Sequence, residues 1–571
     1  MTEDISFVAK AILGNLQSRP DHPALVINDK VYFYRRLIKT VQAIVEITAQ
    51  SAALTGVLGK GGYSAYAGIL AGYMAGGWVF LNTDLPILRL RELITVSRLK
   101  SLVVCADALQ YLPDLLPSLP EGAQVIGPEI DSFDDIPAAF PSVSFHTRDM
   151  LQTGGNSVPR PSSETLAYLC FTSGSTGKPK GIPISRDNLD TYVKRICDRF
   201  NFTPDDRIFQ TSPLSFDVSI HNIMAAWCSG ATLVALSPAK EPQAFEIAKT
   251  ENVTSWTSTP SLVSFLDRLG VGASGALPDL RLVVFCGEAL PENVAACIAN
   301  WAPNAKVNNL YGPTEATIAI SCHQWRADRD YVDNNGIVPI GEGFESSDLG
   351  VFDLETGTEI SGEGVGELWL RGAQITSGYW ENEAQTRRSF CRDPSGQRWY
   401  KTGDQVRRDA QGQIHFLGRL DNQFKLFGYR VELGAIEAVL RELTGLKAVF
   451  ALPWPYGARP AQGLVAALES PEPVDTLGLK QAMRAHLPKY MVPSQITVVD
   501  AVPRNLSGKH DRSALATLIE AQLGRQLERR EKSWLWVVAY TALRNVFFGQ
   551  PYCFLLLRSS QPQPLQTCSS R

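Results

Sequence analysis

Leu166-Ala-Tyr-Leu-Cys-Phe-Thr172-Ser173-Gly174-Ser175-Thr176-Gly177-Lys178-Pro179-Lys180-Gly181 is the most informative stretch of the chain. An apolar run of strand character enters a loop of glycines and hydroxyls and leaves it through two lysines. Glycine lets backbone approach an anion, N–H and hydroxyl groups donate to phosphate oxygens, and lysine supplies charge. ATP or another polyphosphate is the ligand this pattern serves. A Ser/Gly-rich surface linker would share the composition. The GxxxxGK[ST] spacing of a Walker A loop is absent.

Outward from this loop, short Val-rich runs (Leu102 to Val104, Leu282 to Phe285) alternate with amphipathic stretches (Ser261 to Leu269, Glu292 to Trp301). That alternation predicts α/β layers with mostly parallel strands. After about Gly336, short strands between Gly and polar turns (Gly364 to Arg371, Gln413 to Leu417) predict a β-rich subdomain. The expected fold is α/β: a large N-terminal domain of layered, mostly parallel sheets plus that subdomain over 1–420, a small mobile α+β C-terminal domain over 421–528, and a tail of unknown role over 529–571. Ligands of such folds bind at strand ends and domain junctions.

The 571 residues exceed one compact core, and a 44% apolar, 20% charged chain with net charge −4 has the balance of a soluble protein. The absence of a basic excess argues against a nucleic-acid partner. Ten cysteines without a CxxC pair suggest neither zinc nor a disulfide framework. The start, Met1 to Ala11, lacks a signal-peptide pattern, and the apolar segment Ser533 to Leu557 is interrupted by Arg544, Asn545, Gln550 and Pro551. A cytoplasmic monomer without a membrane span is expected.

The phosphate loop resembles the signature of the acyl-adenylate-forming superfamily, and further motifs in the same order extend the resemblance over Val31 to Arg512. It implies ATP contacts from Thr172, Ser173, Gly174, Ser175, Thr176, Gly177 and Lys180. Gly287-Glu288-Ala289-Leu290 is similar to the adenine-pocket loop, and Asn309-Leu310-Tyr311-Gly312-Pro313-Thr314-Glu315 to the turn that holds base and metal. The resemblance has Asn309 bonding the adenine edge, Tyr311 stacking on it, Thr314 beside the nucleotide, and Glu315 holding Mg²⁺. An aromatic face suits a purine and a carboxylate a hard cation, although a lone Glu is commonly a surface residue.

Tyr400-Lys401-Thr402-Gly403-Asp404 resembles the ribose motif, with Asp404 as acceptor, where an Asp after Gly is otherwise a turn residue. Gly418 to Leu433 resembles the hinge motif, with Asp421 as the hinge and Arg419 beside the nucleotide. In this superfamily the small domain rotates between adenylation and thioester formation. Val502 to Arg512 is similar to the Asn-Gly-Lys motif, with Ser507 in place of the usual Asn. It assigns Lys509 to the adenylation transition state, where an ammonium stabilises charge gathering between two anions. Lys425 is implied to serve the thiol step. Arg186 stands where many relatives have a histidine, and would either pair with a phosphate or lie solvated at the surface.

Ser215-Phe216-Asp217-Val218-Ser219 corresponds to the motif that opens the acyl pocket in amino-acid-activating members. A carboxylate there is a costly buried charge against a fatty acid but a partner for an α-ammonium. A helix N-cap is the alternative role for Asp217. The family's pocket positions fall on Val218, His221, Thr257 and Val284, then on Cys286, Leu310, Ile318 and Ala319. The implied substrate is a small uncharged amino acid, and the motifs look especially like those of D-alanine carrier-protein ligases, with proline-activating ligases next. His221 departs from the apolar residue expected. No carrier module is recognisable after Arg512, so the phosphopantetheine thiol is expected from a separate carrier protein. An acyl- or aryl-CoA ligase, or a catalytically silent nucleotide-binding homologue, would use the same fold.

Overall fold

The computed structural model describes residues 6–49, 53–153, 165–172, 179–328, 336–393, 395–421, 423–426, 428–456, 461, 463–504 and 510–522. The phosphate-loop residues Ser173 to Gly177, the candidates Ser507 and Lys509, and the tail from 523 onward lie outside them. Residues up to Ala501 form one compact unit and a second begins at Val502. The described part of the second contains a helix over 512–522.

The first unit mixes helices and sheets, with two large, mostly parallel sheets followed by a β-rich part. In the nine-stranded sheet, Lys306–Tyr311, Leu282–Phe285, Ser255–Ser258, Arg207–Gln210, Thr232–Ala235 and Pro23–Ile27 run parallel in that spatial order. Antiparallel strands close both edges. The seven-stranded sheet is parallel from Ser144–His146 to Leu166–Thr172, and Lys180–Ser185 turns back against the latter. The strand runs read from the sequence are these parallel strands. They are apolar throughout because both sheet faces are covered.

Side chains alternate between faces along a strand. Phe209, Trp256, Val283, Phe285 and Val307 enter a core on one face of the nine-stranded sheet. Ile208, Val284, Cys286 and Leu310 enter the largest core on the other. That second core also takes Val57, Val103 and Ile182 of the seven-stranded sheet and the helices Tyr63–Ala75 and Asp217–Ser229. Asp217–Ser229 is buried from Asp217 to Trp227 and stops at Gly230, whose φ of 77° suits only a residue without Cβ strain.

The β-rich part is antiparallel: Ser347–Phe352, Gly364–Gly372, Arg398–Arg408 and Phe390–Arg392, with Ile414–Arg419 paired to Arg398–Arg408. From Asp421 the chain makes a hairpin, Gln423–Leu426 with Tyr429–Glu432, then the helix Leu433–Thr444 and a three-stranded sheet with a core of its own. Among the described residues no helix is long and apolar enough to cross a membrane.

Candidate active site

The site residues collect where the parallel strands end. Thr172 closes its strand and pairs in register with Lys180 at the start of the return strand, so the two ends of the phosphate loop meet. Lys180 donates from Nζ to Glu432 Oε1 at 2.9 Å, and both side chains are largely buried. Two residues beyond the strand Leu282–Phe285 of the nine-stranded sheet, Gly287 takes φ of 94°, and Glu288 is buried beside it. Glu288 accepts from the Ser261 N–H at 3.0 Å and hydroxyl with one oxygen, and from the Gly428 N–H at 2.6 Å with the other. The adenine-pocket loop is thus tied to the hairpin after Asp421.

Asn309 is buried, and its amide donates to the carbonyls of Val338 (3.3 Å) and Pro339 (2.9 Å). The Tyr311 hydroxyl donates to Asp404 Oδ2, while Arg419 Nη1 donates to Asp404 Oδ1 at 2.7 Å. Arg419 continues to Asp421 (2.6 Å) and Gln423 (2.9 Å). Base, ribose and hinge candidates therefore form one hydrogen-bonded chain. Asp404 accepts here from protein groups on the oxygens assigned to the ribose.

Glu315 is 1% exposed and receives the Tyr379 hydroxyl at 2.7 Å and Arg430 Nη1 at 3.2 and 3.1 Å. Burial alone would raise its pKa, but Arg430 and Tyr379 outweigh that and hold it below the ordinary value. Glu315 is therefore ionised, and a buried ionised carboxylate is the kind of oxygen ligand that Mg²⁺ takes together with substrate phosphates. Beside it, Thr317 and Ile318 have φ of 56° and 74°, costly for β-branched residues. This bend presents Ile318 and Ala319 and crowds Gly312, where a Cβ would come within 2.5 Å of Ala319 Cα.

Asp217 is the first residue of the helix Asp217–Ser229, after the cap residue Phe216, so the N-cap alternative gives way to a position in the first turn. It is 8% exposed, and Oδ2 has no hydrogen-bond partner among the described residues. Burial pushes its pKa up to about 6, against the pull of the Thr314 hydroxyl and the nearby Lys425 ammonium. Lys425 itself is exposed on the hairpin. Of the other pocket candidates, Val218, Val284, Cys286, Leu310, Ile318 and Ala319 belong to the same core. Burial pushes the Cys286 thiol up to about 12, leaving it a small neutral lining group. His221 and Thr257 are buried polar members of this neighbourhood.

Arg186 is corrected by the structure. It is 1% exposed, donates to the Tyr73 carbonyl and lies over the Tyr73 ring, 5.3 Å from its centroid. It is neither solvated at the surface nor a free phosphate ligand, because Ser185 caps the helix Arg186–Phe200 and turns its first residue inward. Sequence reading left Arg430, Tyr379 and Glu432 without a role. Arg430 and Glu432 stand within the quoted hinge motif, and an alternating charged strand opposite Lys425 was the available signal.

A model of the AMP-binding enzyme family matches residues 15–380. The chain belongs to the AMP-binding enzyme family. The D-alanine--D-alanyl carrier protein ligase of Bacillus velezensis is 34% identical over 361 residues, 61% of this chain and 70% of the ligase. The chondramide synthase cmdD of Chondromyces crocatus is 35% identical over 377 residues, 64% of this chain but 9% of the synthase. The chain thus spans a small fraction of that relative. Among solved structures, the Vibrio cholerae adenylation domain AlmE in complex with glycyl-adenosine-5'-phosphate has a TM-score of 0.82 and 28% identity. The match covers 91% of this chain and 98% of that domain. In this AMP-binding enzyme, the described candidates Thr172, Lys180, Gly287, Glu288, Asn309, Tyr311, Thr314, Glu315, Asp404 and Arg419 lie at or near strand ends and turns, and the hairpin after Asp421 adds Gly428, Arg430 and Glu432 as their partners.

Proposed function

We propose that this AMP-binding enzyme uses ATP and Mg²⁺ to activate a small uncharged amino acid as its aminoacyl adenylate, then passes it to the phosphopantetheine thiol of a separate carrier protein. The observation that carries this is Asp217: a buried carboxylate with one unpartnered oxygen, among uncharged lining groups, at the end of the sheet that also positions Glu315. A cation restores its charged form, and an α-ammonium is the cation an amino acid brings. A fatty or aryl acid would leave Asp217 Oδ2 without a hydrogen-bond partner, which disfavours a CoA ligase of such acids. The D-alanine ligase and the glycyl adenylate complex of its relatives support a small substrate.

In this reading the substrate carboxylate attacks the α-phosphorus of ATP and pyrophosphate leaves. Lys509 neutralises the charge gathered between them. Glu315 would hold Mg²⁺, which screens phosphate charge, and Lys180 would hold a phosphate once Glu432 withdraws. Asn309, Tyr311, Thr314, Asp404 and Arg419 would position the nucleoside, with Gly287 and Glu288 forming the wall of the base pocket. The segment 421–528 acts as the moving small domain, hinged at Asp421, and Lys425 serves the thiol step. Exchange of labelled pyrophosphate into ATP with a panel of amino, fatty and aryl acids tests the proposal. Exchange supported by a fatty or aryl acid alone would refute the amino-acid reading, and nucleotide binding without exchange would point to a silent homologue.

A further inference from the structure

His221 lies four residues, about one turn, after Asp217, so the two side chains share a face of the helix Asp217–Ser229. Its imidazole is 1% exposed. Nδ1 is 2.6 Å from the Tyr192 hydroxyl, and the rings of Phe200 and Phe202 stand edge-on to it. Nε2 has no hydrogen-bond partner among the described residues. Burial lowers the pKa of His221 to about 3, so the ring is neutral and one nitrogen donates while the other accepts. If Tyr192 donates to Nδ1, Nε2 carries the proton. If Nδ1 donates to Tyr192, Nε2 is an acceptor.

A second buried polar atom without a partner among the described residues, Thr257 Oγ1, belongs to the same region. Thr257 is in register with Gln210, to which Asn222 of the same helix donates at 2.8 Å, and with Val284 on the other side. It therefore stands on the sheet face covered by that helix. Tyr192 senses the Asp217 end as well: burial first, and with it the Asp217 carboxylate, raise the pKa of its hydroxyl. A buried imidazole nitrogen and a buried hydroxyl left unpaired beside aliphatic neighbours are costly unless a ligand completes them.

Resting on the amino-acid reading above, we infer that the Tyr192–His221 pair reads the substrate side chain and that the preferred amino acid carries a single hydroxyl, of the serine or threonine type, bonded to His221 Nε2. A hydroxyl both donates and accepts, so it matches either tautomer, and it is small enough to sit beside Val218, Val284 and Ile318, the apolar positions that the resemblance assigns to the pocket. Among the described pocket candidates only Asp217 carries a charge, and the α-ammonium engages it, with the Lys425 ammonium already nearby. Sites built to bond a substrate hydroxyl reject the analogue lacking it far more strongly than apolar pockets discriminate by size.

The test is pyrophosphate exchange by the full-length enzyme with serine, alanine, threonine, 2-aminobutyrate and asparagine, each as both enantiomers. The expected kcat/KM is at least tenfold higher for serine than for alanine and for threonine than for 2-aminobutyrate. Tyr192→Phe, which keeps the ring and lowers the risk of misfolding, reduces that preference, and His221→Leu lowers kcat/KM for serine and threonine more than for alanine and 2-aminobutyrate. Preference of the unaltered enzyme for alanine, 2-aminobutyrate or asparagine overturns the inference and leaves the amino-acid reading standing. An unchanged ratio in an active Tyr192→Phe and His221→Leu pair also overturns it, since both residues would then only pack. Exchange with fatty or aryl acids and with no amino acid is a different result, which removes the amino-acid reading itself.

Discussion

Replacing Asp217 by asparagine should stabilise the ligand-free enzyme at neutral pH while abolishing its use of amino acids. The folded carboxyl titrates at about 6, raised from an ordinary 3.8 by burial. Each tenfold in proton affinity corresponds to about 1.4 kcal/mol, so keeping this group ionised at pH 7 costs the fold about 3 kcal/mol. Because the folded value is the higher one, the folded state holds a proton between pH 3.8 and 6 that the unfolded state has lost. The stability this group contributes is full below that window, falls as pH rises through it, and is level above. The Asp217→Asn variant has no such slope.

The amide keeps the acceptor that faces Thr314 but buries an NH₂, which costs about 1–3 kcal/mol if unpaired. The pH dependence of the difference is therefore the diagnostic, more than its offset. Paired denaturation midpoints from pH 4 to 7.5 should show the variant gaining on the parent by about 2–2.5 kcal/mol across the range. His221, lowered to about 3, loses stability for both proteins as pH falls below 6.5, and it cancels in the comparison. At pH 5.5, binding of an amino acid to the parent should release a proton, visible as a buffer-dependent heat. A difference that stays flat with pH, or a variant that still exchanges pyrophosphate with amino acids, would refute the reasoning.

Lys509→Ala should lower the single-turnover adenylation rate by about 10²-fold or more with ATP binding nearly unchanged, as for a group acting in the transition state; an unaltered rate removes Lys509 from the mechanism. Lys425→Ala should keep pyrophosphate exchange and lose carrier loading, and loss of exchange with normal loading of supplied adenylate would contradict a separate role in the thiol step. Arg430→Ala leaves Glu315 buried with neutral donors such as Tyr379 and Tyr400 and without its cation, which should destabilise the ligand-free protein by about 3–5 kcal/mol. Added Mg²⁺ should then raise its melting temperature more than that of the parent, whereas equal shifts would mean that Arg430 and the ion do not compete for Glu315.

The layers were legible because each strand is a short apolar run bounded by turns. Leu282–Phe285 reads as a strand from four residues, since both faces of a parallel sheet need apolar side chains. The site was legible as motifs, because glycines such as Gly287 and Gly312 mark backbone that no side chain can occupy. Burial and partnership were not. Arg186 looks like any surface arginine until the cap at Ser185 fixes the direction of its helix. The contacts Glu315–Arg430, Lys180–Glu432 and Glu288–Gly428 join residues 115, 252 and 140 positions apart. No local periodicity carries pairings of that range.

With the nucleotide held as proposed, those three contacts would make the ligand-free enzyme its own competitor for it. Lys180, Glu315 and the loop at Glu288 are already satisfied from the hairpin Gln423–Leu426 and Tyr429–Glu432. On the proposed assignments ATP would exchange with these contacts, its phosphates displacing Glu432 from Lys180 and a metal displacing Arg430 from Glu315. The measured affinity is then the intrinsic one divided down by the fraction of molecules whose hairpin has let go. Substitutions that loosen the hairpin, Glu432→Gln among them, should thus tighten nucleotide binding without touching the nucleotide, and the chain would trade resting order for avidity.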